Sequence, residues 1–450
     1  MVIKMNLRQI SVVVLCAVNG AALGNETAVC SDGRSATEIV AQGISDWKQS
    51  EFGKAMQQRD AAGELVLLVS KSTMIGVPTT SAAFGKSRDL AYAKTFLDTQ
   101  AKFIQRRSQS IQSETSSQYF DSVPSQEDLT LKEDETSGRV MRIGEKIFAL
   151  TEAKLDRALR EEGVSDDEIA GIEPSKKIDT FKDAIVRKSV SKAFGEVSGI
   201  VPVKNLEATD CNNIGAVATV SVFSGKTLDF VKDVVSRRPI RADPERASRG
   251  LYADVGDEVG SGDIVYNVGL RKAYDDKGYP SFVSYGQWSF NGGGLTPRQR
   301  EQKKRAALNH AEQNARGGIA QFLNSSGQAS VQTMTEERTR EFVEVFGDRQ
   351  EQNSMSELVE RTLEDYSTKA SVTIQGLQTL TTWSMPYPGL PDVTLVGAVV
   401  SWSPQSADAI NRATGKRAGL AASDAAAQPE STSLPVQLRG SKDKNHAADF

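Results

Sequence analysis

The sequence is poorest in histidine, cysteine and tryptophan, with two, three and four residues in 450. A zinc centre needs several Cys, His or carboxylate ligands at suitable spacing. His310 falls on a predicted helix and His446 in the C-terminal tail, neither with a ligand partner, and no metal or other cofactor is assigned. Scarce histidine also weakens a serine-hydrolase reading: Gly195-Glu-Val-Ser-Gly199 misses the G-x-S-x-G spacing, and no motif ties His310 to a serine. No phosphate-cradling G-x-x-x-x-G-K-[ST] or dinucleotide G-x-G-x-x-G occurs, and the glycines of 256–262 lack both a preceding strand and a following helix. An excess of one charge sign is missing too. Lys plus Arg number 54 against 58 Asp plus Glu, scattered along the chain, which disfavours nucleic acid as a partner. Long apolar runs are absent, so the mature chain has no expected membrane span.

At 39% hydrophobic residues and mean hydropathy −0.37, the remainder is an ordinary water-soluble chain, long enough for about two to four domains. Residues 1–24 have the form of a secretory signal: Lys4 and Arg8, an apolar run over 10–18, then small residues, with cleavage after Ala22 or after Gly24. Leu15 before Cys16 is a poor fit to lipidation. The expected location is periplasmic or secreted. Cleavage removes Cys16 and leaves Cys30 and Cys211 in an oxidising compartment. A disulfide between them would close a loop of about 180 residues and stabilise by about 4–5 kcal/mol; two separate buried thiols are the alternative.

Beyond an N-terminal segment over 25–62, the chain contains a pattern repeat. The first copy opens with the apolar run 64–70 and the second with the partly alternating run 280–290. An alanine-bearing amphipathic helix follows each. Leu90, Ala93, Leu97, Ala101 and Ile104 match Leu308, Ala311, Ala315, Ile319 and Phe322, each pair 218 positions apart, and both stripes are read as core. A second helix follows over 181–188 and 355–366. A hairpin closes each copy: 199–206 with 216–224, and 371–380 with 395–403, the latter joined by a stiff loop over 386–391. Phe223 aligns with Trp402.

The fold class is therefore α+β, in tandem diverged units, each a small antiparallel sheet covered by amphipathic helices. The first unit spans 63–225 with a helical insertion over 120–177, in which 140–159 reads as helix and Ser165 with Glu168 as a helix start. A Pro-, Gly- and charge-rich linker covers 226–262, the second unit 263–404, and a disordered tail 405–450. Asp254, Asp257, Glu258 and Asp263 form an acidic cluster without calcium-loop spacing, read as a solvated loop.

The element order, the Ala93 and Ala311 helices, and the strands Val220-Ser-Val-Phe and Val399-Val-Ser-Trp resemble the domain of small secreted envelope lipoproteins that also occurs in the flagellar outer-membrane assembly protein FlgT. That resemblance implies a layered α+β fold and a binding or scaffolding role at the cell envelope, with no catalytic residues to carry across.

The residues thus point to an exported, non-enzymatic binding or assembly module whose partners are envelope proteins. Aromatic anchors dominate interfaces, and the second unit is rich in them. Tyr387 on the 386–391 loop is the leading partner-binding candidate, with Tyr285 and Trp383 beside it, while Trp288 and Trp402 are assigned to core. The alternatives are an exported hydrolase using carboxylates that no motif marks, and a small-ligand binding protein with its site between the two units.

Overall fold

The computed structural model describes residues 33–81, 83–119, 152–328, 341–342, 358, 361, 374–387, 390–415 and 419–420. The signal segment, Cys16, Cys30, most of the 140–159 and 355–366 helices and the chain beyond 420 lie outside the described residues.

Two four-stranded antiparallel sheets carry the fold. In the first, β1 (Val66–Val69) and β2 (Thr73–Met74) pair with one edge of β4 (Gly215–Phe223), and β3 (Ile200–Thr209) pairs with the other. In the second the order is β5-β6-β8-β7, from β5 (Gly269–Tyr274), β6 (Pro280–Asn291), β7 (Gln378–Tyr387) and β8 (Leu390–Trp402). The duplication is visible in the ladders. Val66 pairs with Phe223 and Phe282 with Trp402, so β1 and β2 together occupy the place of β6, split where the first copy has one extra residue. The ladder shifts between Pro202 and Lys204 beside Ser221/Val220, and between Thr379 and Thr381 beside Val400/Val399. With Phe223 set on Trp402, the two β-bulges fall at the same step, which independent strands have no reason to share.

Each sheet is covered on both faces, and β4 is buried almost end to end, because odd and even side chains point to opposite layers. Its even residues meet the N-terminal helices α1 (Ala36–Gln49) and α2 (Glu51–Ala61): Ala216 and Ala218 pack with Val40, and Val220 and Val222 join the cluster of Trp47 and Met56. Its odd residues meet α3 (Phe84–Tyr119), with Thr219 against Thr95 and Ser221 against Thr99. The insertion folds as α4 (Glu152–Glu161) and α5 (Asp166–Gly171) against α6 (Lys177–Glu196) around Leu159, Ile169 and Phe181. The Ser165 capping box forms as expected, with Glu168 N donating to Ser165 Oγ and Ser165 N donating to the Glu168 carboxylate.

The segment expected as linker is instead helical. The chain runs through α7 (Gly225–Val235) and α8 (Leu251–Ser261). Leu228, Val231 and Val234 recur at helical spacing and are buried, and Gly262, at φ +81°, ends α8 in the left-handed conformation that glycine adopts without cost. The acidic residues Asp254, Asp257 and Glu258 accordingly lie on a helix. The start of the expected disordered tail is helical too. Ser403 caps α10 (Pro404–Ala413), and Asp408 Oδ1 accepts the amides of Gly419 and Leu420, each at 3.0 Å.

Over the second sheet lies α9 (Pro297–Gln328), whose Ala311, Ala315, Ile319 and Phe322 are buried as the repeat predicts. Gly286 makes this contact possible: a Cβ there would stand 2.0 Å from the Ala311 carbonyl oxygen, so only glycine lets helix and strand backbones touch.

The two halves share their cores. One cluster joins Leu67, Val201 and Val222 of the first sheet to Phe282, Val400 and Trp402 of the second through Phe230 of α7 and Phe322 of α9, and the described residues from Arg34 onward form one compact unit. Burying a Leu or Phe side chain contributes about 1.5–3 kcal/mol relative to exposure, so shared aromatics at this junction favour one body over two tethered ones.

Candidate functional site

The buried face of α3 is polar where it leaves the first sheet. The face expected there carries Leu90 and Ala93, yet Leu90 is 61% exposed and Ala93 faces solvent. The face turned inward is Phe84, Arg88, Tyr92, Thr95 and Thr99, at helical spacing, and Arg88 is fully buried.

A buried guanidinium requires a counter-charge and acceptors, and three elements supply them. Glu207 on β3 stands opposite Val217 and so projects to the α3 side of the first sheet. Its carboxylate accepts from Arg88 Nε at 2.8 and 2.9 Å and from Nη2 at 2.6 Å, a forked ion pair with both side chains almost wholly enclosed. Arg88 Nη2 also donates to the Val265 carbonyl at 2.7 Å, and Nη1 to Gln287 Oε1 at 2.7 Å, on β6 of the second sheet. Gln287 Nε2 in turn donates to the carbonyls of Ile264, Val265 and Asn267, fixing the turn Asp263–Tyr266. Tyr92 OH donates to Glu207 Oε2 at 2.9 Å and Tyr387 OH to Oε1 at 2.7 Å. Asn205, two residues before Glu207, donates to the Val268 carbonyl at 3.0 Å. Sequence-distant side chains therefore meet at the seam between the two sheets.

Burial by itself would lower the Arg88 pKa, but the charge of Glu207 outweighs it, and the guanidinium is held protonated. Burial, followed by the negative charge of Glu207, raises the hydroxyls of Tyr92 and Tyr387, which stay protonated as donors. Asp89 differs. It is half-buried, its Oδ2 is enclosed without a hydrogen-bond partner, and desolvation pushes its carboxyl up to about 7 against the opposing pull of Arg88. Chemically, the network locks geometry, with Arg88 and both tyrosines already engaged, whereas Asp89 is poised to exchange a proton near neutral pH.

All three aromatic candidates are buried, which corrects their placement at a surface. Tyr387 lies not on a loop but at the end of β7, 6% exposed, packed edge-on against Phe84 at 5.1 Å and bonded to Glu207. Pro386 does not break the strand. It stands in an edge strand, where a missing N–H is tolerated. Trp383 lies over Gly397, where a Cβ would come within 2.2 Å of the indole. Tyr285 is 6% exposed, stacks under Arg271 and hydrogen-bonds Glu258, and burial raises its hydroxyl pKa. Trp402 is core, and Trp288 is half-buried and stacked on His310 at 4.8 Å.

Cys211 is disulfide-bonded; Cys30, its expected partner, lies outside the described residues. Among the described residues no group of three or more His, Cys, Asp or Glu could hold a metal ion, and no helix is long and apolar enough to cross a membrane. A surface cavity of about 380 Å³ lies at the start of α9, lined by Phe290, Leu295, Pro297, Arg300 and Lys304, away from the seam.

Sequence reasoning missed Arg88, Glu207, Gln287 and Asp89. The available signal was Arg88 and Tyr92 continuing the spacing of Phe84, which marks a second, polar stripe on the same helix.

A family model described as a domain of unknown function (DUF6844) matches residues 140–236, the stretch that carries α4 to α7 with β3 and β4. No curated protein matches. Among solved structures, the chain is similar to the hypothetical protein FTT1539c from Francisella tularensis, seen in a 2.3 Å crystal structure. The TM-score is 0.51 at 20% identity, over 85% of this chain and 94% of that one. The likeness spans both halves and establishes an α+β fold held in common.

Proposed function

We propose that this protein is an exported, non-catalytic binding or assembly module of the bacterial cell envelope, and that its partner docks at the seam between its two halves. The observation that carries the reading is the placement of exposed apolar side chains on the elements that the buried network fixes. Leu90, 61% exposed, follows Arg88 by two residues on α3. Tyr266, 40% exposed, follows Val265, the acceptor of Arg88, and its own carbonyl accepts from Asn205. Tyr252 on the adjoining α8 is 64% exposed. A rigid frame that holds large apolar groups in water lowers the ordering cost of binding. The signal-like residues 1–24 and the lipoprotein-domain resemblance supply the envelope setting.

The test is crosslinking of the full-length protein in cells, with mass spectrometry of the envelope fraction. Recurrent capture of one envelope protein, weakened by Leu90→Glu and by Tyr266→Ser but not by the distant Arg157→Ala, supports the reading. A soluble species that captures nothing, or capture indifferent to both variants, overturns it.

A hydrolase is the second reading, favoured by one observation: the Asp89 carboxyl, at about 7, has the proton affinity of a general acid and lies beside Glu207 and Arg88. Turnover in a substrate screen that Asp89→Asn abolishes without loss of folding would establish it.

A further inference from the structure

The two sheets differ at one edge. In the second, the outer side of β6 is filled by β5, with Tyr285 opposite Gly269 and Phe282 opposite Lys272. In the first, no strand among the described residues pairs with the corresponding outer side of β1. Its backbone groups there belong to alternate residues and are met by charged side chains. Leu67 N donates to Asp60 Oδ1 at 3.2 Å, and the Leu67 carbonyl accepts from Arg106 Nη1 at 3.3 Å. The Val69 carbonyl accepts from Lys102 Nζ at 2.7 Å, and Lys71 N donates to Asp98 Oδ2 at 2.8 Å.

The geometry explains why three of the four come from one helix. Asp98, Lys102 and Arg106 recur every four residues along α3, a rise of about 6 Å, while Lys71, Val69 and Leu67 recur every two residues along the strand, a rise of about 6.6 Å. Helix and strand therefore run in step, in opposite directions, and each side chain reaches one outward backbone group. Asp98 pairs with Lys102 at 3.3 Å and Arg106 with Asp60 at 3.8 Å, so the row is also neutralised internally. At the positions of α9 that match this row, 218 residues on, stand Arg316, Ala320 and Asn324. Among the described residues, the charged row stands on the helix whose sheet has no strand in the position of β5.

We propose that Asp60, Asp98, Lys102 and Arg106 stand in for a strand at the position that β5 takes in the second sheet, and hold the β1 edge closed to strand addition by a second copy of this chain. The second copy is the occupant that the sequence of the edge fits. Val66-Leu-Leu-Val69 pairs antiparallel with itself about a two-fold axis, placing apolar residues opposite apolar residues and continuing the sheet from one copy into the next.

The experiment compares the full chain with the triple variant Asp98→Ala, Lys102→Met, Arg106→Met by light scattering coupled to size exclusion over a hundredfold range of concentration. The variant is expected to double in mass as concentration rises, while the wild type holds its mass. Adding Lys71→Pro, which removes one outward N–H from this edge, is expected to restore the wild-type mass. A control that removes the exposed pair Arg157 and Glu161 is expected to change nothing. Should the triple variant fail to fold, hydrogen exchange on Asp98→Ala alone decides: the Lys71 amide is expected to exchange at least tenfold faster than in the wild type. A folded triple variant that keeps its mass overturns the proposal, as does association that Lys71→Pro leaves intact, or a Lys71 amide that exchanges as before.

Discussion

Arg88 donates to Gln287 at 2.7 Å across 199 residues of sequence, from the first helix of one half to the second strand of the other, with both side chains buried. The same guanidinium forks onto Glu207 of the first sheet. One residue thereby ties both sheets, and the consequences for stability are direct.

Arg88→Met leaves the Glu207 carboxylate enclosed without its counter-charge. Breaking one side of a buried pair costs about 3–5 kcal/mol, whereas replacing both partners with apolar groups of similar volume is often neutral. Urea unfolding is expected to show that loss for Arg88→Met, with most of it recovered only when Glu207→Leu, Tyr92→Phe and Tyr387→Phe are added, because both hydroxyls donate to Glu207.

Tyr387→Phe removes a single donor to Glu207 and keeps the ring against Phe84, so a loss of about 1.5–3 kcal/mol is expected, the range for hydrogen bonds to charged groups. Tyr387→Ala removes the packing too and should cost about 3–5 kcal/mol. Thermal melts that rank the two variants this way place Tyr387 in the core; equal melting points would contradict its buried position.

Asp89 makes stability depend on pH. Its folded carboxyl titrates at about 7, above the usual carboxylate range, so between about pH 4 and 7 the folded state holds a proton that the unfolded state has lost. Stability contributed by this group is present at the acidic end and falls as pH rises to 7, by at most about 1.4 kcal/mol per pH unit. Denaturation at several pH values should show Asp89→Asn as more stable at pH 7 and flatter across that window than the wild type.

Gly286→Val is expected to push α9 off the second sheet, since even a Cβ meets the Ala311 carbonyl at 2.0 Å and Ala315 N at 2.5 Å. Overpacking of this kind costs about 1–3 kcal/mol. The same change at Gly256, whose Cβ would meet nothing within 4 Å, replaces a poorer helix former, is expected to leave stability unchanged or raised by less than about 1 kcal/mol, and serves as the comparison in thermal unfolding.

Features set by neighbours in the chain were legible. The Ser165 capping box, the turn from Asp275 to Gly278 and the buried stripe of Ala311, Ala315 and Ile319 depend on residues within a few positions of one another. The duplication was legible as well, because both halves keep the period and order of their elements. The first copy's stripe held at Ala101 and Ile104, which are buried, and failed at Leu90 and Ala93 for a physical reason: apolar spacing marks a possible core face, but α3 turns Arg88 inward once Glu207, Gln287 and Val265 arrive to satisfy it. The linker and the 386–391 loop failed similarly. Glycine and proline weaken a local element, and burial of Phe230, Val231 and Tyr387 outweighs that weakness.

The sequence by itself determined the α+β class, the apolar runs and closing hairpins of both copies and where several elements begin, since backbone preference and side-chain period act over a few residues. Tertiary structure alone decided that the two copies fuse into one body, that Arg88 and Glu207 meet at the seam, that Tyr285, Trp383 and Tyr387 turn inward, and that charged side chains line the edge a strand would fill. Those outcomes depend on which distant groups share a dry environment, where an unpaired charge or backbone group is costly and a paired one is not.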